Sequence, residues 1–256
     1  NEELHNLNEN IKDIDTRTAQ LDLLDLARVA GKLGIAGESN VLGFVKAADQ
    51  IGVALSEDLG EDIEGAIRDV GKLVDIFNVR EEFGIEKGLL KVGSVINGLG
   101  VNSTAQEEYM VDFTKRLAGV APAANISIAS VLGMSSTLDQ LGQSAEVAGT
   151  TMVNLIPDMF TNPEKFAKIA GIELNEFNKL LNNDTNEALI KLFEGVKGNE
   201  EGMSAMAARL VELGLDGARA TNIVSALVNN TALLRSEQAL AIKLFQDGTS
   251  VTQEFA

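Results

Sequence analysis

An all-α fold is what this 256-residue sequence predicts, and three observations carry the prediction. Only three prolines (Pro122, Pro157, Pro163) interrupt the chain, so long stretches are free to be helical. No run of Val, Ile, Thr and Tyr alternates strictly with polar residues, as a half-buried strand would require. Apolar residues instead recur every three or four positions between glycine and cap signals, the period of helices with one buried face. Hydrophobic residues make up 45% and aromatics only 4%, with one Tyr and no Trp, so the core must be built from Leu, Ile, Val and Ala.

The first twenty residues form a unit of their own. Leu4, Leu7, Ile11, Ile14, Thr18 and Leu21 are spaced 3, 4, 3, 4 and 3, an a/d seam of about two and a half heptads. Two readings stay open: an amphipathic helix docked on its own domain, or a coiled-coil seam (Leu4, Leu7, Ile11, Ile14, Leu21) that self-associates. In the second case its missing heptads would lie upstream, and the chain would be a piece of something longer.

From residue 21 to 246 the sequence reads as a helical core domain, with room for two lobes meeting near 121–125. Leu33-Gly34-Ile35, Leu99-Gly100-Val101 and Leu213-Gly214-Leu215 each predict a helix end. There glycine takes the left-handed conformation and the next apolar residue folds back on the last turn. Ser39, Ser103 and Asp216 then stand where the next helix needs a cap, and Ser103 with Gln106 has capping-box spacing. Helices are predicted over 21–33, 40–55, 85–98, 104–118, 127–141, 145–156, 203–213, 217–229 and 231–246. Ser56 precedes a further one, whose apolar face is Ile63, Ile67, Val70, Val74 and Phe77. Asn162-Pro163 opens a helix that Gly171 closes. Asp184 opens another, which buries Ala188, Leu189, Leu192, Phe193 and Val196 and ends at Gly198. Residues 247–256 read as the start of a linker or next segment.

Leu117–Leu138 is 22 residues without a charge, long enough to cross a bilayer. Pro122, Asn125 and four hydroxyl residues from Ser127 to Ser136 argue instead for a helix end, a Pro-containing turn and a buried helix capped near Ser127. No membrane span is expected in this stretch or elsewhere.

The composition excludes much chemistry. The net charge of −17 is spread evenly: residues 1–116 carry 12 basic and 22 acidic residues, residues 117–256 carry 9 and 16. Without clustered Lys and Arg, direct nucleic-acid binding is not expected. There is no Cys and one His (His5), so no zinc site, His-based triad or haem ligation can be assembled from this chain. Gly31-Lys32 and Gly71-Lys72 lack both the following Ser/Thr and the earlier glycine of a phosphate loop. The acidic pairs Glu57/Asp58, Glu61/Asp62, Glu81/Glu82, Glu107/Glu108 and Glu200/Glu201 have the residue type of a glycoside hydrolase. Each, however, falls at a helix start or on a polar face, where the helix dipole and solvent account for it. NNDTNE (182–187) lacks the alternating acids, central Gly and closing Glu of a calcium loop. The expectation is a protein that is not an enzyme and binds no cofactor.

The order of these segments resembles the globular region of the phage tail tape measure protein family. The resemblance lies in LDLLDLARVAGKLGIAGESNVLGFVKAADQIGVAL (21–55), EDIEGAIRDVGKLVDIF (61–77) and VINGLGVNSTAQEEYMVDFTKRLAGV (95–120). It continues through ISIASVLGMSSTLDQLGQSAEVAGTTMVNLI (126–156), PEKFAKIAGIELNEFNKLL (163–181), ALIKLFEGVKG (188–198) and RLVELGLDGARATNIVSAL (209–227). It spans roughly 21–235. It implies a virion structural protein in the phage tail tube interior, assembled in the host cytoplasm and acting in tail length determination and genome ejection. Implied partners are other copies of the chain, the tail tube protein, tail assembly chaperones and baseplate or hub proteins. A stand-alone helical adaptor or chaperone-like module is the alternative.

Overall fold

In the computed structural model the described residues are 2–55, 62–198, 208, 210–212, 214 and 217–255. They hold fifteen α-helices and no strand. The first six are α1 (Glu2–Lys12), α2 (Gln20–Lys32), α3 (Glu38–Ala54), α4 (Ile63–Ile76), the short α5 (Val79–Phe83) and α6 (Ile85–Asn102). The middle of the chain gives α7 (Glu107–Leu117), α8 (Ile128–Gln140), α9 (Ala145–Thr161), α10 (Pro163–Ala170), α11 (Leu174–Asn183) and α12 (Thr185–Lys197). The C-terminal part gives α13 (Ala218–Asn229), α14 (Thr231–Asp247) and α15 (Ser250–Phe255). Ser56, Asp216 and most of the predicted 203–213 helix lie outside the described residues.

Two predicted start signals make the expected cap bonds, whereas Ser39 stands inside α3, behind Gly37. Ser127 accepts from the Ser130 amide, and Asp184 from the Glu187 amide. Asp62, one residue ahead of α4, accepts from the Gly65 amide. Gly34 and Gly214 stand at φ 70° and 71°, as a left-handed helix end requires. At Gly34 the Ile35 amide reaches back to the Ala30 carbonyl and Ile35 is buried, a complete Schellman closure.

Gly100 departs from the expectation. It is helical, α6 runs through it to Asn102, and Val101 is 68% exposed instead of folding back. Its missing Cβ makes room for Glu107, whose Oε1 lies 1.6 Å from where that Cβ would stand. Ser103 consequently closes α6, its hydroxyl donating to the Leu99 carbonyl. Gln106, not Ser103, is the residue before α7. Similarly α9 continues past the predicted end at 156 and carries Pro157 on its exposed side. Helices α5, α11 and α15 are additions, and within the stretch read as the start of a linker or next segment α15 packs on the body with Val251 fully buried.

Two aliphatic clusters form the interior. One gathers side chains from α1–α6, and the other from α9–α13. Ala121 and Ala124, in the turn near which the sequence left room for two lobes to meet, belong to the second cluster, and α7, α8 and α14 each contribute to both: along α8, Ile128, Ala129 and Leu132 enter one cluster, and Val131, Met134 and Leu138 the other. All of 128–138 is buried, so α8 is the axis of the molecule. Two of its hydroxyls are satisfied locally, Ser135 donating to the Leu132 carbonyl and Thr137 to the Gly133 carbonyl. The uncharged stretch is thus a core helix, and no helix among the described residues is long and apolar enough to cross a membrane.

Candidate interaction sites

The N-terminal seam is not continuous. α1 stops at Lys12 and α2 begins at Gln20, because the intervening DIDTRTA is rich in residues that prefer local side-chain bonds to helix. The Thr18 amide donates to Thr16 Oγ1, and the Thr18 hydroxyl donates to Asp49 on α3. Ile11 is fully buried against the α1–α6 core, with Leu7 and Ile14 half-buried beside it. Leu21, 74% exposed, belongs to a different helix. The Leu4 side chain lies outside the described residues. Of the predicted seam, then, Leu7, Ile11 and Ile14 are brought together, and they pack on their own domain.

The acidic pairs fall as the sequence placed them or lie outside the described residues (57, 58, 61, 200 and 201). Asp62 caps α4, Glu81 and Glu82 stand in the first turn of α5, and Glu107 and Glu108 in that of α7. NNDTNE is occupied by structural bonds. Asn182 and Asn183 donate to carbonyls four residues back, Asn186 pairs with Gln238, and Glu187 with Arg235. Among the described residues no three acidic, His or Cys side chains are grouped to hold a metal.

The most elaborate side-chain arrangement joins the C-terminal segment 231–255 to the body. α14 lies against α6 and α8, and α15 against α3 and α6. Glu237 and Gln238 are 7% and 3% exposed. The Ser136 hydroxyl donates to Glu237 Oε2 at 2.6 Å, and Gln238 Nε2 donates to the Ser130 carbonyl at 3.0 Å. The amides of Gln238 and Asn186 donate to each other at 2.8 and 2.9 Å. Arg235 forks onto Glu187 at 2.8 and 2.9 Å and also reaches Glu194. The hydrogen bonds to Glu187 are the main reason the guanidinium is held further above its usual range. Around Glu194 burial works upward, but hydrogen bonds from Lys191 and Arg235 outweigh it and lower the carboxyl.

Farther along, Lys91 donates to the Phe245 and Gln246 carbonyls at the end of α14 and lies over the Phe83 and Phe245 rings. Asn97 donates to Ser250 at 2.8 Å and Glu254 at 3.1 Å. Sequence reasoning missed this set. The available signal was the pair Glu237-Gln238 on the inward face of an otherwise aliphatic helix.

These features define a helical body whose polar groups serve internal joints. The comparison with protein families gives the class its name: residues 6–213 match the phage-related minor tail protein family, and the chain belongs to it. It is accordingly a phage tail protein with a structural role. No curated protein and no solved structure is detectably similar to it.

Proposed function

We propose that this chain is a structural and interaction domain of a tape measure protein, housed in the tail tube interior and acting in tail length determination and genome ejection. The family match over 6–213 carries the reading. The order of helix–glycine–helix segments over 21–235, which resembles that of the tape measure family, supports the finer reading. Its partners are other copies of itself, the tail tube protein, tail assembly chaperones and baseplate or hub proteins. With its acidic surface dispersed along the chain, it acts without gripping DNA directly. It works without catalysis, so the purified protein leaves peptidoglycan intact. Reproducible cleavage abolished by one Glu→Gln change would overturn that part.

Purified tails carrying an epitope tag on this domain test the location. The tag should be shielded from antibody in intact tails and accessible once ejection is triggered. A tag reached on intact tails would refute the interior location. Absence of the chain from finished tails would favour an assembly chaperone instead.

A further inference from the structure

The joint between α13 and α14 differs from the other helix junctions. Asn230 alone separates them, at φ −127° and ψ 34°. The three other single-residue junctions are built to stop a helix: Gly84 stands at φ 78°, Asn162 is followed by Pro163, and Asp184 accepts the Glu187 amide. Asn230 has none of these devices. Its side chain makes no cap bond and donates instead to the Ala226 carbonyl four residues back, a contact that a continuous helix retains. No Gly or Pro occurs between 218 and 247. Rotations of about 65° in φ and about 75° in ψ at this residue would merge α13 and α14 into one straight helix. Its 30 residues would span about 45 Å.

What such a helix would carry away is a detachable element. Among the described residues, everything that 231–255 packs against precedes it in the chain. Gly98 on α6 and Gly133 on α8 open a track in which a Cβ would meet Leu244 Cδ2 and Gln238 Cα, each at 2.5 Å. The contacts across it are also unusually polar for a permanent core, with Glu237, Gln238 and Asn97 buried at their centre.

We propose that Asn230 is a hinge and that the 231–255 strap exchanges between two copies of this chain, each strap seating in the other's α6–α8 track. The partner needs no new surface, since every bond made within one chain is remade across two, with the twofold reciprocity of a closed dimer. Because the strap must undock fully, the exchange is slow and concentration-dependent, and the exchanged dimer outlives dilution.

The chain has no cysteine, which makes the test clean. Gln50 and Thr252, in contact at 3.0 Å at the strap's end, are replaced singly to give Gln50→Cys and Thr252→Cys chains. The two are unfolded, mixed, refolded at high concentration and treated with a short bis-maleimide. Light scattering should show a dimer, and denaturing gels a bridged heterodimer. At equal concentration the dimer fraction should rise severalfold with Asn230→Ala, which favours helix, and fall with Asn230→Gly, which breaks it. A chain monomeric at all concentrations, Asn230→Ala included, would overturn the exchange. So would a dimer without the cross-chain bridge. Either result leaves the tail assignment standing, because the exchange does not rest on it.

Discussion

Two glycines, both inside helices, should respond oppositely to the same substitution. Gly31 lies exposed near the end of α2, with nothing within 4 Å of where a Cβ would stand. Gly31→Ala should therefore gain only the helix-propensity difference and stabilise by up to ~1 kcal/mol. Gly195 sits in α12 where that helix crosses α10, and a Cβ there would come within 2.1 Å of the Ile169 carbonyl oxygen and 2.5 Å of Ala170 Cα. Both obstacles are backbone, so no side chain can swing aside. Restoring ordinary contact at 3.4 Å requires the helices to part by about 1.3 Å, the difference between 3.4 and 2.1. That movement would open the packing of Phe166, Ala167 and Phe193 around the crossing. Overpacking of this kind costs roughly 1–3 kcal/mol or more, enough to outweigh the propensity gain. Gly195→Ala should thus lose about 2 kcal/mol net, a fall of several degrees in Tm for a chain of this size. Urea and thermal melts of the two variants beside the parent decide the matter. A Gly195→Ala protein as stable as the parent would show that the α10–α12 crossing has been misplaced.

Three further outcomes are expected. Gly214→Ala should destabilise by ~1 kcal/mol in denaturant melts, because φ 71° is costly for a residue with a Cβ. Tyr109→Phe should cost nothing, or stabilise by ~1 kcal/mol in the same assay. Its hydroxyl is buried without a partner, and burial, with Asp139 and Asp112 nearby, holds the phenol above its usual range. At Asp69, burial works upward but hydrogen bonds from Lys115 and Lys72 win and lower the carboxyl. A depressed folded-state value means stability that is present above the unfolded pKa, near 3.9, and is lost as pH falls through the folded value. Asp69→Asn should accordingly be less stable by ~1 kcal/mol at neutral pH. Stability measured from pH 7 to 2 should show that gap closing below about pH 4.

The helices were legible wherever a local device marks their ends. Gly34, Ser127, Asp184 and Pro163 each act on a backbone within four residues, so the sequence alone places them. The errors share a different cause. Leu99-Gly100-Val101 has the letters of a helix end, but Gly100 is glycine because Glu107 packs against it. The heptad spacing of Leu4 to Leu21 is likewise real in the sequence. It breaks in space at DIDTRTA, where Thr18 bonds both to Thr16 and to Asp49, thirty-one residues away, and of the two readings left open the docked helix is the one that the packing of Leu7, Ile11 and Ile14 supports. α11 and α5 lack a side-chain cap, so nothing local announces them. The strap contacts of Glu237, Gln238, Asn97 and Lys91 pair residues about 100 to 160 positions apart, beyond any pattern a linear reading can match.

Both ends of the described chain are tethered to one helix. Near the start, Asn10 donates to Glu38, in the first turn of α3; near the finish, Thr252 donates to Gln50, toward its end. Twelve residues of α3 separate these tethers, about 18 Å at the helical rise. Drawn out as a single straight helix, residues 2–255 would reach about 380 Å. Inserted in a longer filament, the folded body would therefore occupy a bead's breadth of the line and leave almost all of its own contour off the ruler. Any length that such a filament measures would be written in the residues outside the bead, and the bead could be enlarged or trimmed with little change in the distance spanned.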